Sequence, residues 1–229
     1  MGSDLIFTIL TVAPPLILAI TLHEAAHGYA AKYFGDYTAY SLGRVTLNPL
    51  KHVDPIGTFL IPLVLKLSGS PFLFGYAKPV PVNFSALNHP KKDMIWVALA
   101  GPASNFIQAF IWTLIFSILR MSVDSPFLFA MAKAGIYWNV VLAVFNLFPI
   151  PPLDGGRILV GLLPYQQARM LAKLEPYRFF IVIGLMLAGI LGGLWLEPLI
   201  NLSLQFLNLF LFIISRLFCA TYVSTLNSL

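Results

Sequence analysis

The chain has 229 residues, 59% of them hydrophobic and only 10% charged, with a mean hydropathy of +0.84. A soluble domain carries about 25% charged residues, so the composition excludes that class and points to an integral membrane protein. The formal net charge of +5 is scattered between apolar segments and forms no dense basic run, which argues against a nucleic-acid partner and leaves the cations as topology signals.

A lone Cys219 excludes an internal disulfide framework. The first residues, M-G-S-D-L-I, lack a basic n-region, so the apolar run that follows is expected to be a retained span and not a cleaved signal peptide. Little polar sequence separates the apolar runs, and a single domain over 1–229 is expected.

Crossing about 30 Å of hydrocarbon takes about 20 apolar residues. Runs of that length fall at 5–33, 93–119 and 126–149, and a longer run at 178–218 suffices for two spans broken near Glu197-Pro198. The fold class predicted is therefore an all-α polytopic membrane protein of about five transmembrane helices. The stretch from Ile56 to Leu67 is too short to span and is interrupted by Pro62, which makes it re-entrant or interfacial. From Gly75 to Asn83 the chain carries Pro79 and Pro81, residues tolerated in edge strands but not central ones, so a small β segment of edge type is expected there.

Loops on the cytoplasmic side collect Lys and Arg. Lys32, Arg44, Lys51, Lys66, Lys78, Lys91 and Lys92 lie between the first two full spans, and Arg157, Arg169, Lys173 and Arg178 fall on the same side after two further crossings. The connection M-S-V-D-S-P on the other side has no basic residue. The N-terminus is thus expected outside, with the loops at 34–92 and 150–178 in the cytoplasm.

Residues 23–27 read H-E-A-A-H inside the first span. Histidines four apart share one helix face, a spacing that suits one metal ion, and Glu24 beside the first can take a proton from water at that metal, the logic of H-E-x-x-H peptidases. With 4 histidines in 229 residues, chance supplies this pattern about 0.001 times. Packing alone is a poor rival, since three ionisable groups inside a span are costly and mark a site by default. Imidazole and carboxylate donors suit zinc.

A catalytic zinc needs a third protein ligand. Asp154, in N-L-F-P-I-P-P-L-D-G-G-R, follows three prolines and precedes a diglycine; on spacing alone it is either that ligand or the N-cap of the helix that follows. Asn105 follows Gly101-Pro102, where packing and site support are both open. His52 could reach the site from its loop but is read first as an interfacial histidine, and His89 as a solvated one.

H-E-A-A-H in the first long span, G-P-A-S-N at 101–105 in the next and N-L-F-P-I-P-P-L-D-G-G at 146–156 together resemble the site-2 protease family of intramembrane zinc metalloproteases, over a core of about 5–163. The resemblance implies one Zn2+ per chain held by His23, His27 and Asp154, Glu24 as general base and acid, and an active-site role for Asn146 toward the scissile carbonyl. It also implies hydrolysis of transmembrane protein substrates near the cytoplasmic face of the cell membrane. S-L-G-R-V-T-L-N-P-L-K-H-V-D-P-I-G-T is similar to the compact prokaryotic members, and no PDZ or CBS module is visible. The C-terminal spans at 178–218 would be accessory. The rival reading is a multi-pass metal transporter or sensor, in which the same ligands pass or detect the ion and Glu24 has no proton to move.

Overall fold

The computed structural model describes residues 2–61, 64, 67–68, 77–122, 124–151, 153–174 and 177–226. Helix α1 (Gly2–Tyr33) is followed by the single turn α2 (Thr38–Ser41). Short 3-10 and π turns lie at Pro49–Lys51, Pro55–Leu60 and Phe84–Ala86. The long helices α3 (Pro90–Ser122) and α4 (Pro126–Asn146) come next. Then come α5 (Asp154–Leu162), α6 (Tyr165–Ala172), α7 (Arg178–Leu187), a π-helical stretch Ile190–Leu196 and α8 (Glu197–Leu226).

Among the described residues four helical stretches are long and apolar enough to cross a membrane: Asp4–Tyr33, Pro90–Ser122, Pro126–Asn146 and Ile190–Ile213. The first three match the spans read from the sequence. Over 178–218 the outcome differs from the expected pair of spans. Helix α7 has ten residues, about 15 Å, and is too short to cross. The break falls at Gly189, whose φ of +70° terminates α7, and not at Glu197-Pro198. Pro198 sits in the first turn of α8, where proline is tolerated.

The other two expectations meet the structure only in part. Pro55–Leu60 forms a π turn capped by Asp54, whose Oδ1 accepts from the N–H of Ile56 and Gly57; the rest of 56–67 lies largely outside the described residues. Among the described residues no strand forms. Residues 77–83 run without regular structure, while Gly75 and Tyr76 lie outside the described residues.

Helices α1, α3 and α4 pack pairwise into the core of the bundle, with α5 against α3 and α8 against α4 and α3. In lipid no hydrophobic force drives helices together, so small residues that allow close approach carry the packing. Ala19, Ala25, Ala98, Ala109, Ala132 and Ala143 are all fully or almost fully buried at these contacts.

The loops are fastened by polar groups. Asp36 is 1% exposed; its Oδ1 accepts from Thr38 N–H at 2.9 Å and its Oδ2 from Asn83 N–H at 2.7 Å. One carboxylate thus joins the end of α1 to the approach to α3. Asp93, in the first turn of α3, accepts from His89 N–H at 2.6 Å and closes that helix end.

Candidate metal centre

Helical spacing sets His23 and His27 one turn apart on α1, their rings edge to face at 4.7 Å and their Nε2 atoms 3.1 Å apart. Asp154 arrives from another part of the chain. Helix α4 ends at Asn146, and a turn through Phe148 and Ile150 reverses the backbone into α5. The turn is tight because Gly155 and Gly156 open it: a Cβ on either would lie 2.1 Å from the backbone of Leu147 or Pro151. The cap position of α5 belongs to Leu153, and among the described residues Asp154 Oδ2 has no hydrogen-bond partner. Its Oδ2 stands 3.2 Å from His23 Nε2 and 3.3 Å from His27 Nε2. All three residues are less than 9% exposed.

The protons on the rings follow from what lies behind them. His27 Nδ1 is 2.7 Å from the carbonyl oxygen of Val97, which can only accept, so Nδ1 carries the hydrogen. His23 Nδ1 is 2.6 Å from Asn105 Oδ1, likewise an acceptor. In neutral imidazoles both Nε2 atoms are then bare. Two lone pairs and a carboxylate oxygen with no hydrogen-bond partner converge within 3.3 Å, a repulsive arrangement that a cation relieves.

Zinc fits these residues. Tetrahedral bonds of about 2.0–2.1 Å separate neighbouring ligand atoms by about 3.3–3.4 Å, close to the observed edges, and the donor set suits the metal. Space is made by α3. A Cβ on Gly101 would lie 2.4 Å from His27 Nε2, so only glycine lets this helix pass so near the group.

Glu24, next to His23, lies partly buried, and its Oε2 accepts from Val80 N–H at 2.7 Å. Asn105 is completely buried and touches a candidate ligand directly. Asn146 is not hydrogen-bonded to the group: its Nδ2 donates to Leu142 O in its own helix at 2.9 Å. His52 is 2% exposed and is bonded through Nε2 to Thr46 O, a residue of its own loop. The His89 side chain is 76% exposed, as a solvated residue would be.

Sequence reasoning missed Val80 and Val97, which act through backbone atoms and so leave no side-chain signal. It also missed Asn139, fully buried against Asn105. Its signal was available as an amide inside an apolar span.

Comparison with known proteins agrees with this chemistry. The model of Peptidase family M50 matches residues 121–191, a stretch that includes Asn146 and Asp154. "Putative zinc metalloprotease YwhC" of Bacillus subtilis (strain 168) is 39% identical over 192 residues, 81% of this chain and 84% of that protein. "Putative zinc metalloprotease Rip2" of Mycolicibacterium smegmatis is 32% identical over 185 residues, 79% of this chain and 68% of that protein. "Stage IV sporulation protein FB" of Bacillus subtilis is 26% identical over 208 residues, 89% of this chain and 56% of that protein. No solved structure matches. The chain belongs to peptidase family M50, the site-2 proteases, and is a multi-pass membrane protein whose activity is zinc-dependent proteolysis.

Proposed function

We propose that the protein cuts transmembrane protein substrates within or beside the bilayer, with zinc held by His23, His27 and Asp154 and with Glu24 moving the proton. The observation that carries this reading is the triangle of two imidazole Nε2 atoms and one carboxylate oxygen, 3.1–3.3 Å on each edge, with Glu24 one residue from a corner. Bound zinc supplies Lewis acidity, which polarises the scissile carbonyl and acidifies water.

Glu24 supplies the rest of the proton chemistry. Val80 N–H holds Oε2, which leaves Oε1 to accept a proton from the attacking water and return it to the leaving amide nitrogen. Asn146 retains an amide carbonyl oxygen and one N–H beyond its bond to Leu142, and we assign it to support of the substrate carbonyl. Asn105 supports the site by holding His23.

A helical substrate hides its peptide bonds in hydrogen bonds and has to unwind before attack. The segment ending at Asn83 is suited to receive it, in a particular way. Pro79 and Pro81 have no N–H, Lys78 N–H is bonded to His52 O and Val80 N–H to Glu24, and Arg44 Nη2 donates to Lys78 O and Pro79 O, so the acceptors this edge offers a substrate strand are the carbonyls of Val80 and Pro81.

The distribution of Lys and Arg supports a site facing the cytoplasmic side, with the N-terminus outside. The chain is assigned as one domain, 1–229, whose core of about 5–163 carries the chemistry and whose C-terminal part, about 178–218, is accessory.

The test is Glu24→Gln in the reconstituted protein. Zinc should stay at one per chain while cleavage of a transmembrane substrate falls about 10²- to 10⁴-fold, the usual contribution of general acid and base catalysis. Cleavage at the wild-type rate would refute the assignment.

A further inference from the structure

Behind His23 a line of amides runs across three helices and ends on backbone. Asn139 Nδ2 on α4 donates to Gly135 O at 2.8 Å. Asn139 Oδ1 accepts from Asn105 Nδ2 on α3 at 2.9 Å, and Asn105 Nδ2 also donates to Ala19 O on α1 at 3.2 Å. Asn105 Oδ1 accepts from His23 Nδ1 at 2.6 Å. Asn105 and Asn139 are both 0% exposed, so no solvent competes for these bonds.

The direction of the line is forced from its ends. Gly135 O and Ala19 O can only accept. Turning Asn139 over would set its oxygen against Gly135 O, and turning Asn105 over would set its oxygen against both Ala19 O and Asn139 Oδ1. With both amides fixed, oxygen faces His23 Nδ1, which must carry the hydrogen, and the lone pair is left on Nε2. In the opposite orientation an N–H would face Nδ1, the hydrogen would move to Nε2, and that atom could not bind a cation.

We propose that Asn139 is a positioning residue for the zinc site, acting through Asn105 to select the tautomer of His23 that can ligate. The proposal rests on the assignment of His23 as a ligand and extends it to a residue with no contact to the metal. Partners behind ligating histidines typically change metal affinity about 10- to 100-fold when removed.

The experiment compares zinc affinity, by chelator competition, and the visible spectrum of the Co2+-substituted protein in wild type, Asn139→Leu, Asn139→Ser and Asn139→Asp. Leucine keeps the branched shape, at a larger volume, and removes both bonds. Serine is the milder variant: it can donate to Gly135 O as Thr113 does to Ala109 O within its own helix, yet is too short to reach Asn105, and so stays foldable if leucine does not. The protonated acid of this last variant can donate to Gly135 O and accept from Asn105 as the amide does.

The leucine and serine proteins should bind zinc about 10- to 100-fold more weakly with an altered Co2+ spectrum, and aspartate should restore both. Folded leucine or serine protein with wild-type affinity and spectrum, or an aspartate variant as impaired as serine, would overturn the proposal. Wild type that fails to bind one zinc would instead refute the ligand assignment beneath it.

Discussion

Val80 N–H donates to Glu24 Oε2 over 2.7 Å, tying the residue between the two histidines to a segment 56 positions further along the chain. The same valine is 6% exposed and packs against α1 at Gly28, where a Cβ would lie 3.2 Å from its Cγ1. Side chain and backbone of Val80 therefore have separable tasks.

Val80→Pro removes that N–H, whereas Val80→Ala keeps it and only trims the packing. A hydrogen bond to a charged group contributes about 1.5–3 kcal/mol, so the proline variant should cleave a reconstituted substrate at least about 10-fold more slowly than the alanine variant, with zinc content unchanged in both. Equal rates for the two would show that the bond has no part in catalysis.

Gly101→Ala adds one methyl group 2.4 Å from His27 Nε2, and backbone on a long helix cannot retreat cheaply. Metal analysis of the purified protein should find zinc well below one per chain. Gly184→Ala on α7, where nothing lies within 4 Å of the added carbon, is the matched control and should keep full occupancy.

Zinc removal should also be visible as lost stability. A ligand present at 100 times its Kd stabilises the folded state by about 2.7 kcal/mol. Thermal unfolding followed by tryptophan fluorescence should shift down when wild type is treated with a chelator, and should not respond to the chelator in His27→Ala. A wild-type curve indifferent to the chelator would mean the three buried groups hold no metal.

Asp36→Ala strands two N–H groups, those of Thr38 and Asn83, that one buried carboxylate now satisfies. The loss should be roughly 2–4 kcal/mol, measured by denaturant unfolding in detergent. Because Asn83 ends the segment that starts at Lys78, cleavage should fall as well, while zinc binding to folded protein should persist.

Much of this protein was legible before any coordinates. Apolar runs longer than 20 residues have few alternatives in lipid, since every backbone group must be satisfied within a helix. That is why three of the helical spans matched their expected positions. Local spacing likewise determined that His23 and His27 share a helix face one turn apart with Glu24 beside the first, because the 3.6-residue period leaves no choice.

The failures share a cause. The break at Gly189 depends on a positive φ at one glycine among several nearby, and a hydropathy pattern does not distinguish among them. The small β segment depends on partners that the chain does not supply among its described residues.

Asp154 is the clearest division between the two levels. From spacing it was equally a helix cap or a ligand, since aspartate suits both. In the fold Leu153 takes the cap position, and the turn through Gly155 and Gly156 carries the carboxylate to within 3.3 Å of two histidines 127 and 131 residues earlier, the placement that the proposed ligand role needs.

Tertiary structure alone also decided which ring nitrogens are bare. That depends on the Val97 carbonyl and on Asn105 and Asn139, groups on other helices that no sequence spacing links to the histidines. The sequence by itself determined that His23, Glu24 and His27 lie together in an apolar helix long enough to cross a membrane. Packing of α1, α3 and α4 determined which ring nitrogen of each histidine faces an acceptor, because hydrogen-bond direction is set by what stands behind a side chain.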